Sequence, residues 1–120
     1  MTRVSRRSWT AALIREAAYL HEIARLSDAD IARATGVARS TARAWLAHTR
    51  SPMGERAERL IELSALVERL ARVMEPSHIA VWLRKPVPAL HERKPIDVIA
   101  SGDYMQVAEL ISALEEASFS

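Results

Sequence analysis

Four neighbouring side chains have the types and spacing to read a nucleic acid: Arg39, Ser40, Thr41 and Arg43. An arginine guanidinium grips guanine through two parallel hydrogen bonds, and serine or threonine hydroxyls reach bases or phosphates. These groups work only on the outward side of a helix. Ala42 and Trp45, three apart, supply the inward side. The residues offer little enzyme chemistry to compete with this reading. The chain has no cysteine, no glycine-rich phosphate loop and no arguable serine–histidine–acid set. His78 and His91 lie near Glu75 and Glu92, at a spacing that fits neither one helix face nor a zinc motif. The expectation is a binding protein with no catalytic residue, metal or cofactor.

The elements around those four residues form a helix-turn-helix pattern. Ser27 is a cap, Asp28 puts a negative charge in the first turn, and Asp30 stands at the third position of a short capping box. Ile31, Ala32 and Ala34 face inward. Gly36 ends the first helix, Val37 fills the gap, and the second helix runs from about Arg39 to Ala47 with Leu46 joining its inward side. Its N-terminal turn is the part that enters a major groove. Ala38 offers no capping oxygen, and Ala42 is smaller than the branched residue expected there. A helical hairpin with merely solvated arginines is the competing reading. Upstream, Ser8 is taken as the cap of a supporting helix to about Arg25. Leu13, Ala17, Leu20 and Ala24 recur on it at helical spacing, with Trp9 and Ile23 beside them and His21 structural or exposed. The arm Met1 to Arg7 carries Arg3, Arg6 and Arg7. It is either a solvated tail or a basic arm reaching a phosphate or minor groove.

After a breaking connection at His48 to Gly54, a long helix is expected from Glu55 to about Met74. Leu60, Leu63, Val67, Leu70 and Met74 step by three and four, and Ile61, Leu66 and Val73 widen the stripe. The stripe serves the core alone or the core plus a dimer contact. Glu55 with Arg59 and Glu68 with Arg72 are i, i+4 pairs. Pro76 stops the helix. His78, Ile79, Val81, Trp82 and Leu83 make a dense apolar turn, and Pro86 and Pro88 fix an extended segment. Pro95 opens a short helix over Ile96 to Ala100, Gly102 closes it, and Asp103 caps a last helix with Tyr104, Val107, Leu110, Ile111 and Leu114 on one face. Glu115 and Glu116 lie where the helix dipole disfavours anions, so this end is expected to fray. A frayed acidic tail bearing Phe119 suits insertion into a basic pocket on a partner. A plain disordered terminus is the alternative.

The 120 residues are 49% hydrophobic, with three glycines and no β-branched or aromatic runs. That composition predicts an all-α protein with a real core. The organisation expected is a basic arm and DNA-binding region at 1–54, a connecting or dimerisation helix at 55–75, and a small helical domain at 76–120. The net charge of +2 hides an asymmetry. Residues 1–50 hold nine arginines and four acids, a balance of +5, while residues 51–120 hold eight basic and eleven acidic residues, a balance of −3. Two different partners fit that split, as does ordinary solvated surface. No apolar run approaches a membrane span, and the N-terminal arginines precede no signal-peptide core, so a soluble cytoplasmic protein is expected.

Trp82-Leu83, Pro86, Leu90, Pro95, Asp97 and Gly102 together resemble the toxin-binding domain of the Xre/MbcA/ParS-like antitoxins. That family also places an Xre-type helix-turn-helix upstream, as the pattern at 27–47 does here. Val87 departs from the family's usual asparagine, and glycines are lacking near His91-Glu92. The resemblance implies a type II antitoxin whose partner is a RES-domain toxin that consumes NAD or transfers ADP-ribose from it. It implies occlusion of the toxin's active-site entrance by the C-terminal region, and promoter binding as a dimer, alone or with toxin. Toxin contacts are then expected at Trp82, Arg84, Lys85 and Pro86, and along the tail at Glu115, Glu116, Ser118, Phe119 and Ser120. The alternative function is a stand-alone helix-turn-helix repressor whose C-terminal domain only dimerises.

Overall fold

The computed structural model describes the backbone of residues 6–119 and the side chains of residues 11–119. The expectations for residues 1–5 of the basic arm, for the Trp9 side chain and for Ser120 lie outside these described residues. Among the described residues seven helices follow one another: α1 (Arg6–Glu22), α2 (Asp28–Thr35), α3 (Arg39–Leu46), α4 (Gly54–Leu70), α5 (Pro76–Arg84), α6 (Pro95–Ala100) and α7 (Tyr104–Phe119), with a 3-10 turn at Pro88–Leu90. The protein is all-α, as its composition requires. Ser8 lies inside α1, not before it, because Arg6 and Arg7 are good helix formers that extend the helix towards the N-terminus.

The local signals of α2 act as their residue types dictate. The Ser27 backbone donates to Asp30 Oδ2 at 3.0 Å and the Asp30 backbone donates to Ser27 Oγ at 3.1 Å, closing a capping box. Gly36 ends the helix at φ 76, a left-handed conformation that costs a side-chain-free residue little. α3 starts from Ala38 with no side-chain cap, and buries Ala42 and Trp45.

α4 is the central strut, packed on α1, α2, α6 and α7. Leu60, Leu63, Leu66, Val67 and Leu70 are fully buried on it. Burial of each such side chain contributes about 1.5–3 kcal/mol. The helix stops at Leu70, short of Met74, because its end tightens: the Arg72 backbone bonds Arg69 and the Val73 backbone bonds Leu70, each three residues back. Ile61 is 45% exposed, so the apolar stripe is wider than the surface the core covers. Arg59 pairs with Glu62, not with Glu55.

α2 packs on α6 as well as on α3 and α4, so one continuous apolar core runs from Leu13 to Ile111. Two ion pairs reinforce the junction. Arg33 of α2 binds Asp97 of α6 through Nε–Oδ1 at 2.6 Å and Nη2–Oδ2 at 3.0 Å. Arg84 of α5 binds both oxygens of Asp30, with Nε–Oδ1 at 2.7 Å. Between α5 and α6 the backbone is extended only as far as Val87, which pairs with Arg93, and Pro88 starts a 3-10 turn. The extended reading of the two-proline segment thus holds for Pro86 and fails for Pro88, whose fixed φ also suits a first helical turn. His91 and Glu92 then take positive φ values of 58 and 62.

Candidate functional site

Two surfaces carry the residues singled out from the sequence. On the first, α3 presents Arg39, Ser40 and Arg43 to solvent and leaves Thr41 half-buried. Both arginines converge on one carboxylate: Arg39 Nε donates to Asp28 Oδ1 at 2.8 Å and Arg43 Nε to Asp28 Oδ2 at 2.6 Å. The Arg43 bond is the largest influence on the Asp28 carboxyl; burial opposes it, and the Arg39 bond adds to it, so the carboxyl lies below the usual carboxylate range. Each guanidinium is engaged through Nε, and both arginine side chains are more than half exposed.

Beside the start of α3 lies an open cleft of about 440 Å³, lined among others by Gly36, Ala38, Thr41, Arg50 and Arg56. Arg50 Nη1 reaches the Thr41 hydroxyl at 3.5 Å. Arg50 and Arg56 add two cations beside the outward turn of α3. Asp28, Arg50 and Arg56 are the residues missed in the sequence reading. Asp28 is the position four residues before Ala32 where the first turn of one helix can meet the outward face of the next. Arg50 and Arg56 flank the Pro52 connection, and only packing brings them to the cleft.

The second surface is C-terminal. Trp82 is half-buried beside the core, while Lys85 and Pro86 are exposed. Val81 is 52% exposed and His78 is exposed, so the dense apolar turn buries only Ile79 and Leu83. Nine residues of helix offer one buried stripe, and Val81 falls off it. Arg84 reaches back to Asp30, whose side chain is 8% exposed. Burial raises the Asp30 carboxyl, but the bonds from Arg84 and from the Ser27 backbone and hydroxyl outweigh it and bring it below the usual range.

The end of α7 does not fray: the helix continues to Phe119. Arg69 of α4 supplies the missing cation, binding Glu115 Oε1 at 2.6 Å and Oε2 at 3.3 Å and the Ser112 hydroxyl at 3.0 Å. This charge-assisted fork offsets the unfavourable dipole. Glu115 is therefore half-buried in the fold, while Glu116, Ser118 and Phe119 stay exposed, Phe119 by 74%. Among the described residues no group of three or more histidine, aspartate or glutamate side chains converges as a metal site. Among the described residues no helix is long and apolar enough to cross a membrane.

Comparison with known proteins shows what this chain is similar to. A family model described as the antitoxin Xre/MbcA/ParS C-terminal toxin-binding domain matches residues 70–116. The mycobacterial cidal antitoxin MbcA of Mycobacterium tuberculosis and that of Mycobacterium bovis are each 38% identical over 81 residues, covering 68% of this chain and 71% of theirs. A chain of the crystal structure of the M. tuberculosis MbcT-MbcA toxin-antitoxin complex superposes with a TM-score of 0.76 at 28% identity, over 90% of this chain and 97% of that one.

Proposed function

We propose that this chain, which belongs to the Xre/MbcA/ParS antitoxin family, neutralises a cognate RES-domain toxin that consumes NAD or transfers ADP-ribose from it. Neutralisation is by steric occlusion: the C-terminal region covers the toxin's active-site entrance, and this chain performs no catalysis. The observation that carries the reading is the end of α7. Arg69 clamps the helix at Glu115, and the next turn exposes Glu116, Ser118 and a largely bare Phe119. A pocket that accepts a dinucleotide pyrophosphate is electropositive, which an acidic helix end complements. A rigid helix loses less conformational freedom on docking than a frayed tail. Trp82, Lys85 and Pro86 extend the proposed contact.

The test is rescue of cells expressing the neighbouring toxin. Glu115 belongs to the fold, so truncation begins at Glu116. Loss of residues 116–120, or Phe119→Ala with Glu116→Gln, is expected to abolish rescue while thermal stability stays near that of the parent. A truncated protein that still rescues would sink occlusion by this helix end.

The α3 surface supports a second activity of the same chain: binding of its own promoter, as a homodimer in the cytoplasm, through Arg39, Ser40, Thr41 and Arg43. The exposed Arg39 and Arg43, with Arg50 and Arg56 on the adjoining cleft, suit base and phosphate contacts. The exposed Ile61 and Met105 side chains are available to a second copy. Arg39→Ala with Arg43→Ala should weaken promoter binding at one stated salt concentration and leave rescue intact. Equal affinity for mutant and parent counts against this assignment.

A further inference from the structure

We infer that Asp28 is the positioning residue of the DNA-reading surface, fixing how Arg39 and Arg43 present themselves to base edges. The inference rests on the reading of α3 as a DNA-binding helix. Asp28 itself stands in the first turn of α2, outside α3, where the positive helix end favours its charge. Its side chain is 16% exposed, so it is held in place while the two arginine side chains are 59% and 60% exposed. One carboxylate oxygen goes to each arginine, and each arginine gives up its Nε–H.

That division of donors has a geometric consequence. A guanidinium carries five N–H donors in a rigid fork. With Nε taken, a bidentate grip must use the end-on Nη1/Nη2 edge, which points away from Asp28. The same carboxylate sets the separation of the two forks, since its two oxygens anchor both. Two side chains rich in rotamers are thereby ordered before any ligand arrives. The carboxylate also repels phosphate, so it weakens indiscriminate backbone binding by the same pair of cations. Asp28 thus favours a base-edge grip over a phosphate grip.

The probes are a duplex covering the region immediately upstream of the protein's own reading frame and a shuffled duplex of equal length and composition. Affinities are measured across a salt series for the parent, Asp28→Asn and Asp28→Ser. Thermal unfolding and rescue from the toxin verify that each variant is folded. Asp28→Asn is expected to bind the shuffled duplex more tightly, with a log–log salt slope steeper by about one for each arginine freed to a phosphate. The preference for the upstream duplex is expected to fall by roughly tenfold, the scale of one good bidentate contact. A role confined to stabilising α2 would lower the melting temperature and leave both the preference and the slope unchanged. A preserved preference in both folded variants overturns the role of Asp28 while leaving DNA binding by α3 standing. A parent protein that does not distinguish the two duplexes overturns the DNA reading, and this inference with it.

Discussion

Replacing Arg84 with alanine removes the fork that ties α5 to the capping box of α2. The Asp30 side chain, 8% exposed in the intact pair, then keeps only the Ser27 backbone N–H as a donor. Breaking a fully buried pair costs about 3–5 kcal/mol. Arg84 is 52% exposed, so water screens it and the cost falls towards that of a surface pair. A hydrogen bond to a charged group contributes about 1.5–3 kcal/mol, and we take the lower end, ~1.5 kcal/mol. With an unfolding entropy of about 2.1 cal/mol/K per residue over the chain, this lowers Tm by about 6 °C. The assay is a double-mutant cycle of Arg84→Ala and Asp30→Ala, followed by urea and thermal unfolding. The cycle cancels the loss of the cap that Asp30→Ala also causes. A coupling energy within about 0.3 kcal/mol of zero would refute the reasoning. The same cycle bears on function, because Arg84 is also an expected toxin contact. If Asp30→Ala impairs rescue as much as Arg84→Ala does, the effect passes through the fold. If only Arg84→Ala impairs it, the guanidinium meets the toxin.

Three further outcomes are expected. Arg69→Ala should cost about 1 kcal/mol and raise amide exchange over the last two turns of α7, since Glu115 then opposes the dipole unaided; unchanged protection there would contradict the clamp. His91→Gly and Glu92→Gly should each raise the urea midpoint, by up to about 1 kcal/mol of stability, because both residues hold a left-handed conformation that disfavours a Cβ. Acid should destabilise the protein in a defined direction. The Asp28, Asp30 and Glu115 carboxyls lie below their ordinary values of 3.8, 3.8 and 4.5. Their stabilisation is therefore complete above about pH 5 and is lost as the pH falls through and below those values. A stability that rises between pH 5 and pH 3 would contradict these pairings.

The sequence by itself determined what is decided within a few residues along the chain. The Ser27/Asp30 box, the left-handed Gly36, Pro95 at the start of α6 and the apolar steps of α4 each involve neighbours within about one or two turns, where backbone geometry leaves few alternatives. The helix-turn-helix was legible for that reason, as were the outward positions of Arg39 and Arg43. Only the tertiary structure decided which charges meet. Arg84 and Asp30 are 54 residues apart, Arg33 and Asp97 are 64 apart, and Arg69 and Glu115 are 46 apart. Spacing rules say nothing over such distances, because the partner of a charge depends on which helix packs beside it. That is why Glu115 changed from an expected tail residue to an anchored one, and why Arg84 gained an internal partner. The same packing exposed Val81 and left part of the α4 stripe uncovered. A helix of given pattern can bury only the side that its neighbours cover.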